Sequence, residues 1–240
     1  MRVALVENTR VTHHGQVGVA LHEVGALIDL YKPWRGDALP GVDADALVVF
    51  GGEQSALDDA THPYLAELAR LMAAYTAADR PVLGICLGSQ LLARAFGAEN
   101  HLGQTPEFGW CEVGLTEAGQ ADPVLGHLPP TFPIFEWHSD TFTLPEGAVH
   151  LAHSDKAQMQ AFRIGRATYG TQFHFEASRR VVADWNRRFP GLVEANQPGW
   201  LAGFEAETLA KGAAADAHGL AIARAWVGLI QAEIAVLAAR

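Results

Sequence analysis

Short apolar runs alternate with segments of helical periodicity through the first half of the chain, and this alternation narrows the available folds more than any other feature. Arg2–Glu7, Leu27–Tyr31, Ala46–Phe50 and Pro81–Ile85 read as strands. Between them, Val17–Val24 reads as a helix closed by Gly25, and His62–Ala78 as a longer amphipathic one. In the latter, Leu65, Leu68, Leu71, Met72 and Tyr75 recur at three- and four-residue spacing. Ala46–Phe50 is apolar throughout, as expected of a strand buried on both faces. Strands that alternate with helices build a parallel sheet covered by helices, so an α/β fold is expected.

The rhythm changes after a helix expected at Ser89–Phe96 and stopped by Gly97. Trp110–Leu115, Phe132–Trp137, Ala148–Ala152, Ala161–Ile164 and Thr168–Phe173 read as shorter strands joined by turns. A helix is expected at Ser178–Arg187, then a stretch punctuated by Pro and Gly from Phe189 to Gly203, then an Ala-rich helix at Leu220–Ala239. The last carries an apolar stripe of Ile222, Trp226, Leu229, Ile230 and Ile234, suited to packing on the chain's own core or, alternatively, to an oligomer interface. At 240 residues the chain reads as a single domain over 1–240, with a core at about 1–190 and a helical C-terminal extension at 191–240.

A formal net charge of −10, with no run of Lys or Arg to offset it, argues against nucleic acid as a partner. No window approaches the roughly 20 apolar residues that cross a bilayer, so no membrane association is expected. The opening MRVALVENTR is too short in its apolar part for a signal peptide and reads as a first strand. With two cysteines, Cys86 and Cys111, both expected to be reduced, the location expected is cytoplasmic.

The most informative segment is Gly84-Ile85-Cys86-Leu87-Gly88-Ser89-Gln90, where a buried strand runs into Gly-x-Cys-x-Gly and a helix follows. This is the architecture of a nucleophile elbow, a sharp strand-to-helix turn that projects a side chain above the sheet. A thiol there meets the positive end of a helix dipole, which favours thiolate. The Leu87 amide would point at an oxyanion formed by attack from Cys86. The alternative is that Cys86 is a small buried hydrophobe. Cys111 has no such setting and reads as structural.

A cysteine nucleophile needs a base, and the base needs holding in one tautomer. In Gly170-Thr171-Gln172-Phe173-His174-Phe175-Glu176 a strand ends before a helix. Residues two apart on extended backbone face the same side, so His174 and Glu176 project together while Phe173 and Phe175 face the core. A His beside a Glu can equally be a packing pair; its coupling to an elbow cysteine favours a Cys86–His174–Glu176 triad. His13 and His14 read as a solvated loop pair. His150 and His153 would face opposite sides of a strand, which makes no metal site. With no Walker or Rossmann pattern either, neither a metal nor a cofactor is expected.

Together these motifs resemble the class I glutamine amidotransferases, which use a Cys–His–Glu triad. The resemblance runs from about residue 45 to 190 and includes Gly51-Gly52, Glu107-Phe108-Gly109-Trp110 and Trp137-His138-Ser139-Asp140. It is nearest to stand-alone proteins similar to the glutaminase domain of GMP synthase. One departure is Phe175, where the family usually has a proline whose rigid turn is lost here. The resemblance implies a three-layer, flavodoxin-like fold with a mostly parallel central sheet flanked by helices. It implies that the Gly52 and Leu87 amides form an oxyanion hole, and that Gln90 with His138, Ser139 and Asp140 holds a substrate's α-amino and α-carboxylate groups. For His138, a hydrogen-bonded loop histidine is an equal alternative.

The function implied is hydrolysis of a γ-glutamyl amide through a thioester, with glutamine or another γ-glutamyl small molecule as substrate. Ammonia would pass to a separate synthetase subunit, or the chain would act alone on a γ-glutamyl peptide or amine. Two other classes remain open. One is a different elbow-cysteine enzyme, such as the DJ-1/PfpI group or a dienelactone-type hydrolase, which place their partner residues differently. The other is a catalytically silent binding or regulatory module.

Overall fold

The structure, a computed structural model, describes residues 1–238. β1 (Arg2–Val6), β2 (Leu27–Tyr31), β3 (Ala46–Val49) and β4 (Val82–Ile85) form where the apolar runs predict them, and β11 (Thr168–Thr171) joins them. β6 (Glu107–Leu115), β7 (Thr131–His138), β9 (Val149–His153) and β10 (Ala161–Ile164) complete a sheet of nine strands in the order β2-β1-β3-β4-β11-β10-β9-β6-β7. The pairs from β2 to β11 are parallel, and those from β11 to β7 antiparallel. Only β10 and β6 therefore run against the other strands.

Alternation along each central strand splits the core into two layers. Val3 and Leu5 of β1 and Ala46 and Val48 of β3 face α1 (Gly15–Glu23) and α8 (Ala213–Ala238). Ala4, Val6, Leu47 and Val49 face the opposite way, onto α2 (Tyr64–Ala77) and α3 (Leu87–Ala95). The apolar stripe of α8 turns to this core: Ile222, Trp226 and Ile230 are fully buried, with Leu229 and Ile234 packed at the edge. That helix starts at Ala213, before the expected Leu220, and Ala239 lies outside the described residues.

Phe189–Gly203 folds into more helix than its composition suggests. Pro190 starts α6 (Pro190–Asn196), and Gly199, at φ +85°, starts α7 (Trp200–Glu207). Both residues act at helix ends, where each is tolerated. With α5 (Arg179–Arg188), these helices cover β6 and β7 through an aromatic cluster of Phe108, Trp110, Phe135, Trp185 and Trp200. Short elements escape the sequence reading, among them α4 (Glu117–Gln120), and β5 (Asn100–His101) paired with β8 (Thr141–Phe142). Among the described residues, no helix is long and apolar enough to cross a membrane.

Candidate active site

In an open α/β sheet, ligands bind outside the carboxyl ends of the parallel strands. The chain concentrates its reactive side chains there. A cavity of about 360 Å³ is bordered by segments that follow β1 (Thr9, Val11, His13), β3 (Gly51, Gly52), β4 (Cys86) and β11 (His174, Glu176), and by the end of β7.

Cys86 sits between β4 and α3 at φ +52°, ψ −112°, in a region that non-glycine residues rarely enter. Its N–H donates to the Thr171 carbonyl at 2.8 Å, and its carbonyl accepts from the Ser89 hydroxyl at 2.7 Å, so the turn is held on both sides. The flanking glycines are required by contact. A Cβ on Gly84 would lie 2.5 Å from the Gly88 carbonyl oxygen, and one on Gly88 would lie 2.1 Å from that of Val49. The thiol is directed towards the Trp137 carbonyl at 3.9 Å.

His174 follows β11, with its N–H donating to the Phe135 carbonyl at 2.8 Å and its ring edge-on to Trp185. Its Nδ1 lies 2.7 Å from Glu176 Oε1 in a buried contact. A Cβ on Gly51 would come within 3.1 Å of His174 Cε1 and 3.4 Å of Cys86 Cβ, so that glycine lies against both residues. Burial opposes charge on the imidazole, but the Glu176 carboxylate and the facing Cys86 outweigh it and raise the His174 pKa well above its ordinary value.

The turn at Phe175 keeps its geometry by contact with distant segments instead of by a proline ring. Phe173 and Phe175 are buried, as the alternation predicts. The Glu176 carbonyl accepts from Gln16 N–H at 3.0 Å. Gly15 and Gly219 press on the same turn: a Cβ on Gly15 would lie 1.8 Å from the Glu176 carbonyl oxygen, and one on Gly219 2.1 Å from that of Phe175.

Gln90, Ser139 and Asp140 border the cavity, as does Gly52. Among the described residues, the Gly52 and Leu87 amides donate to no internal acceptor. The Gln90 side chain is buried and donates to Gln172 Oε1 at 3.1 Å. Asp140 Oδ1 accepts from Gly103 N–H at 2.8 Å. The His138 ring is 1% exposed and turned inward: Nδ1 lies 2.9 Å from the Asp140 carbonyl oxygen, and Nε2 lies 3.3 Å from Glu107 Oε2.

Two histidines differ from their reading as a solvated pair. His13 Nε2 meets Asp184 at 2.9 Å on the cavity wall, and His14 Nε2 meets Glu7 at the same distance, because α5 and the end of β1 each supply a carboxylate. The sequence reading also missed an apolar wall of Trp137, Trp185, Phe189 and Leu192. Four-residue spacing of Trp185 and Phe189 at the end of a helix was the available signal. Cys86 and Cys111 are both free. Burial pushes the Cys111 thiol up to about 12, which suits a structural role.

Residues 20–183 match the family model described as glutamine amidotransferase class-I. A glutamine amidotransferase-like protein of Salmonella typhimurium, YfeJ, is 34% identical over 202 residues, which cover 82% of this chain and 82% of that protein. One subunit of the glutamine-hydrolyzing GMP synthase of Methanosarcina acetivorans is 33% identical over 181 residues, 72% of this chain and 89% of its own length. A crystal structure of a glutamine amido transferase from Methylobacillus flagellatus matches at 27% identity with a TM-score of 0.83, over 95% of this chain and 94% of that one. The layered, flavodoxin-like sheet and the sequence thus agree along most of the length, and the chain belongs to the class I glutamine amidotransferase family.

Proposed function

We propose that the chain hydrolyses a γ-glutamyl amide, most simply glutamine, with Cys86 as nucleophile, His174 as acid and base and Glu176 as its orienter. The observation that carries this reading is the buried 2.7 Å contact from His174 Nδ1 to Glu176, beside a cysteine held in a strained elbow at a cavity. A carboxylate accepts, so Nδ1 carries a proton and Nε2 is left to exchange one with the thiol.

In this mechanism the Cys86 sulfur attacks the γ-carbonyl carbon, and the Gly52 and Leu87 amides hold the oxyanion. His174 then gives its proton to the departing nitrogen, the C–N bond breaks, and a thioester remains on Cys86. Water, losing a proton to His174, attacks the thioester; the C–S bond breaks and glutamate leaves with the thiol restored. Gln90 and the 138–140 segment border the α-amino and α-carboxylate end. Residues 1–238 act as one such domain, with 191–238 as its helical extension. The similarity to one component of a glutamine-hydrolyzing synthase supports transfer of the ammonia to a separate synthetase subunit. The apolar wall of Trp185, Phe189 and Leu192 favours a second reading, in which the chain alone cleaves a γ-glutamyl peptide or amine.

The test is glutamate release from glutamine by the purified chain, alone and with a panel of γ-glutamyl amides. Turnover on glutamine or a panel member that disappears in Cys86→Ala is expected. Turnover that persists in that variant, or none on any substrate, would sink the assignment.

A further inference from the structure

Behind the cavity, buried residues form one continuous polar chain whose inner members the proposed mechanism does not use. Gln90 Nε2 donates to Gln172 Oε1 at 3.1 Å, and Gln172 N–H donates to the Gln160 carbonyl at 2.8 Å. Gln160 Nε2 and the Ser154 hydroxyl each donate to Glu107 Oε2 at 2.8 Å. The Ser154 oxygen in turn accepts from Ala157 N–H at 2.9 Å, which leaves its own hydrogen for Glu107. His138 closes the chain between Glu107 and the Asp140 carbonyl.

Both hydrogen-bond partners of the His138 ring nitrogens are acceptors. The Asp140 carbonyl oxygen faces Nδ1; Glu107 Oε2 faces Nε2 at 3.3 Å, and Glu136 Oε2 lies 3.4 Å from the same nitrogen. Glu107 takes two other donors on that oxygen, as an ionised carboxylate does. Glu136 is fully buried, and its contact with Nε2 is an ion-pair distance without hydrogen-bond geometry, so neither of its oxygens is hydrogen-bonded. Burial pushes the Glu136 carboxyl up towards its neutral form, against the pull of His138. Glu107 is therefore the carboxylate that hydrogen-bonds His138, and Glu136 stands beside that pair.

We infer that Glu107 and Gln160 are positioning residues: they hold His138 as an imidazolium bonded through both nitrogens, and through it fix the main chain of 138–140 beside Cys86. The inference rests on the proposed glutaminase reading for its effect on substrate, though not for the state of His138 itself. On this account His138 reaches substrate only through the loop it anchors. The rival occupant is a divalent cation, because the donor atoms of Glu107, Glu136 and His138 lie within 4.8 Å of one another. Such an ion would need Nε2 without its proton and Glu107 Oε2 released from Ser154 or Gln160.

Two measurements test this. In protein labelled with 15N-histidine, the His138 signals, assigned by their loss in His138→Gln, are expected to show both ring nitrogens protonated at pH 8. A neutral tautomer, or a stoichiometric divalent metal in the purified chain, would overturn the imidazolium. In Glu107→Gln, KM for glutamine is expected to rise about tenfold, the scale of one charge-assisted hydrogen bond, with kcat changed less. An unchanged KM in folded Glu107→Gln would overturn the positioning role. The labelling result needs no turnover and does not depend on Glu107→Gln folding. It therefore stays distinct from a failure of the glutaminase reading.

Discussion

Gly219, within α8, packs against the Phe175 carbonyl so closely that a Cβ there would stand 2.1 Å from the oxygen. The C-terminal helix thus presses directly on the turn between His174 and Glu176. A carbonyl of the main chain cannot rotate away as a flexible side chain can. Gly219→Ala is expected to displace the turn, lengthen the His174–Glu176 contact and lower kcat on glutamine. Overpacking of this kind costs about 1–3 kcal/mol. Activity assays beside a denaturant titration check it; wild-type kcat together with wild-type stability would refute the contact as a constraint.

Glu176→Gln leaves the size of the side chain nearly unchanged and replaces an acceptor-only carboxylate with an amide. His174 then loses the charge that stabilises its protonated form against burial. A fall in kcat of about 100- to 10,000-fold is expected, within the range for positioned acid–base groups. Cys86 alkylation rates report in parallel whether the thiol has lost its activated base. A variant within threefold of wild type in kcat would remove Glu176 from the proposed triad.

Stability should depend on pH through His138. Burial opposes its charge, but Glu107 and Glu136 outweigh burial and raise its pKa from 6.5 to about 10. Cys86 acts in the same direction. A group whose folded pKa is raised contributes stability that is complete below its unfolded value and lost as pH climbs through the folded one. The unfolding midpoint is therefore expected to fall between about pH 6.5 and pH 10, and His174, shifted in the same direction, adds to the slope. His138→Gln should flatten that slope in urea titrations at several pH values. A slope identical to wild type would show that His138 does not carry it.

The sheet was legible because continuous apolar runs such as Ala46–Val49 have few other uses, and the elbow because Gly-x-Cys-x-Gly sits between a strand and a helix. His174 and Glu176 were legible because two-residue periodicity is local. The polar chain behind the cavity was not. Its links join residues 82 positions apart at Gln90–Gln172 and 53 apart at Glu107–Gln160, and nothing local in sequence marks either pair. β5 and β8 are two residues each, too short for any period to show. α6 and α7 were obscured because the Pro190 and Gly199 that suggest irregular chain serve there as helix ends. Phe175 in place of proline suggested a looser turn, and the contacts from Gly15 and Gly219 that hold it lie far away in sequence.

Two helical glycines give opposite expectations for one substitution. Gly88, at the start of α3, approaches β3 so that a Cβ would lie 2.1 Å from the Val49 carbonyl oxygen and 2.9 Å from its carbon. These are backbone atoms of a central strand, so either the strand or the elbow must move. Gly88→Ala is expected to destabilise the fold by about 1–3 kcal/mol or more and to disturb Cys86 two residues earlier. Gly228 lies within α8, where an added Cβ meets nothing within 4 Å. There the gain in helix propensity acts alone, and Gly228→Ala is expected to stabilise by about 0.5–1 kcal/mol. Thermal and urea denaturation of both variants check the contrast. A Gly88→Ala protein as stable as Gly228→Ala would mean that the close approach of α3 to β3 does not constrain the elbow.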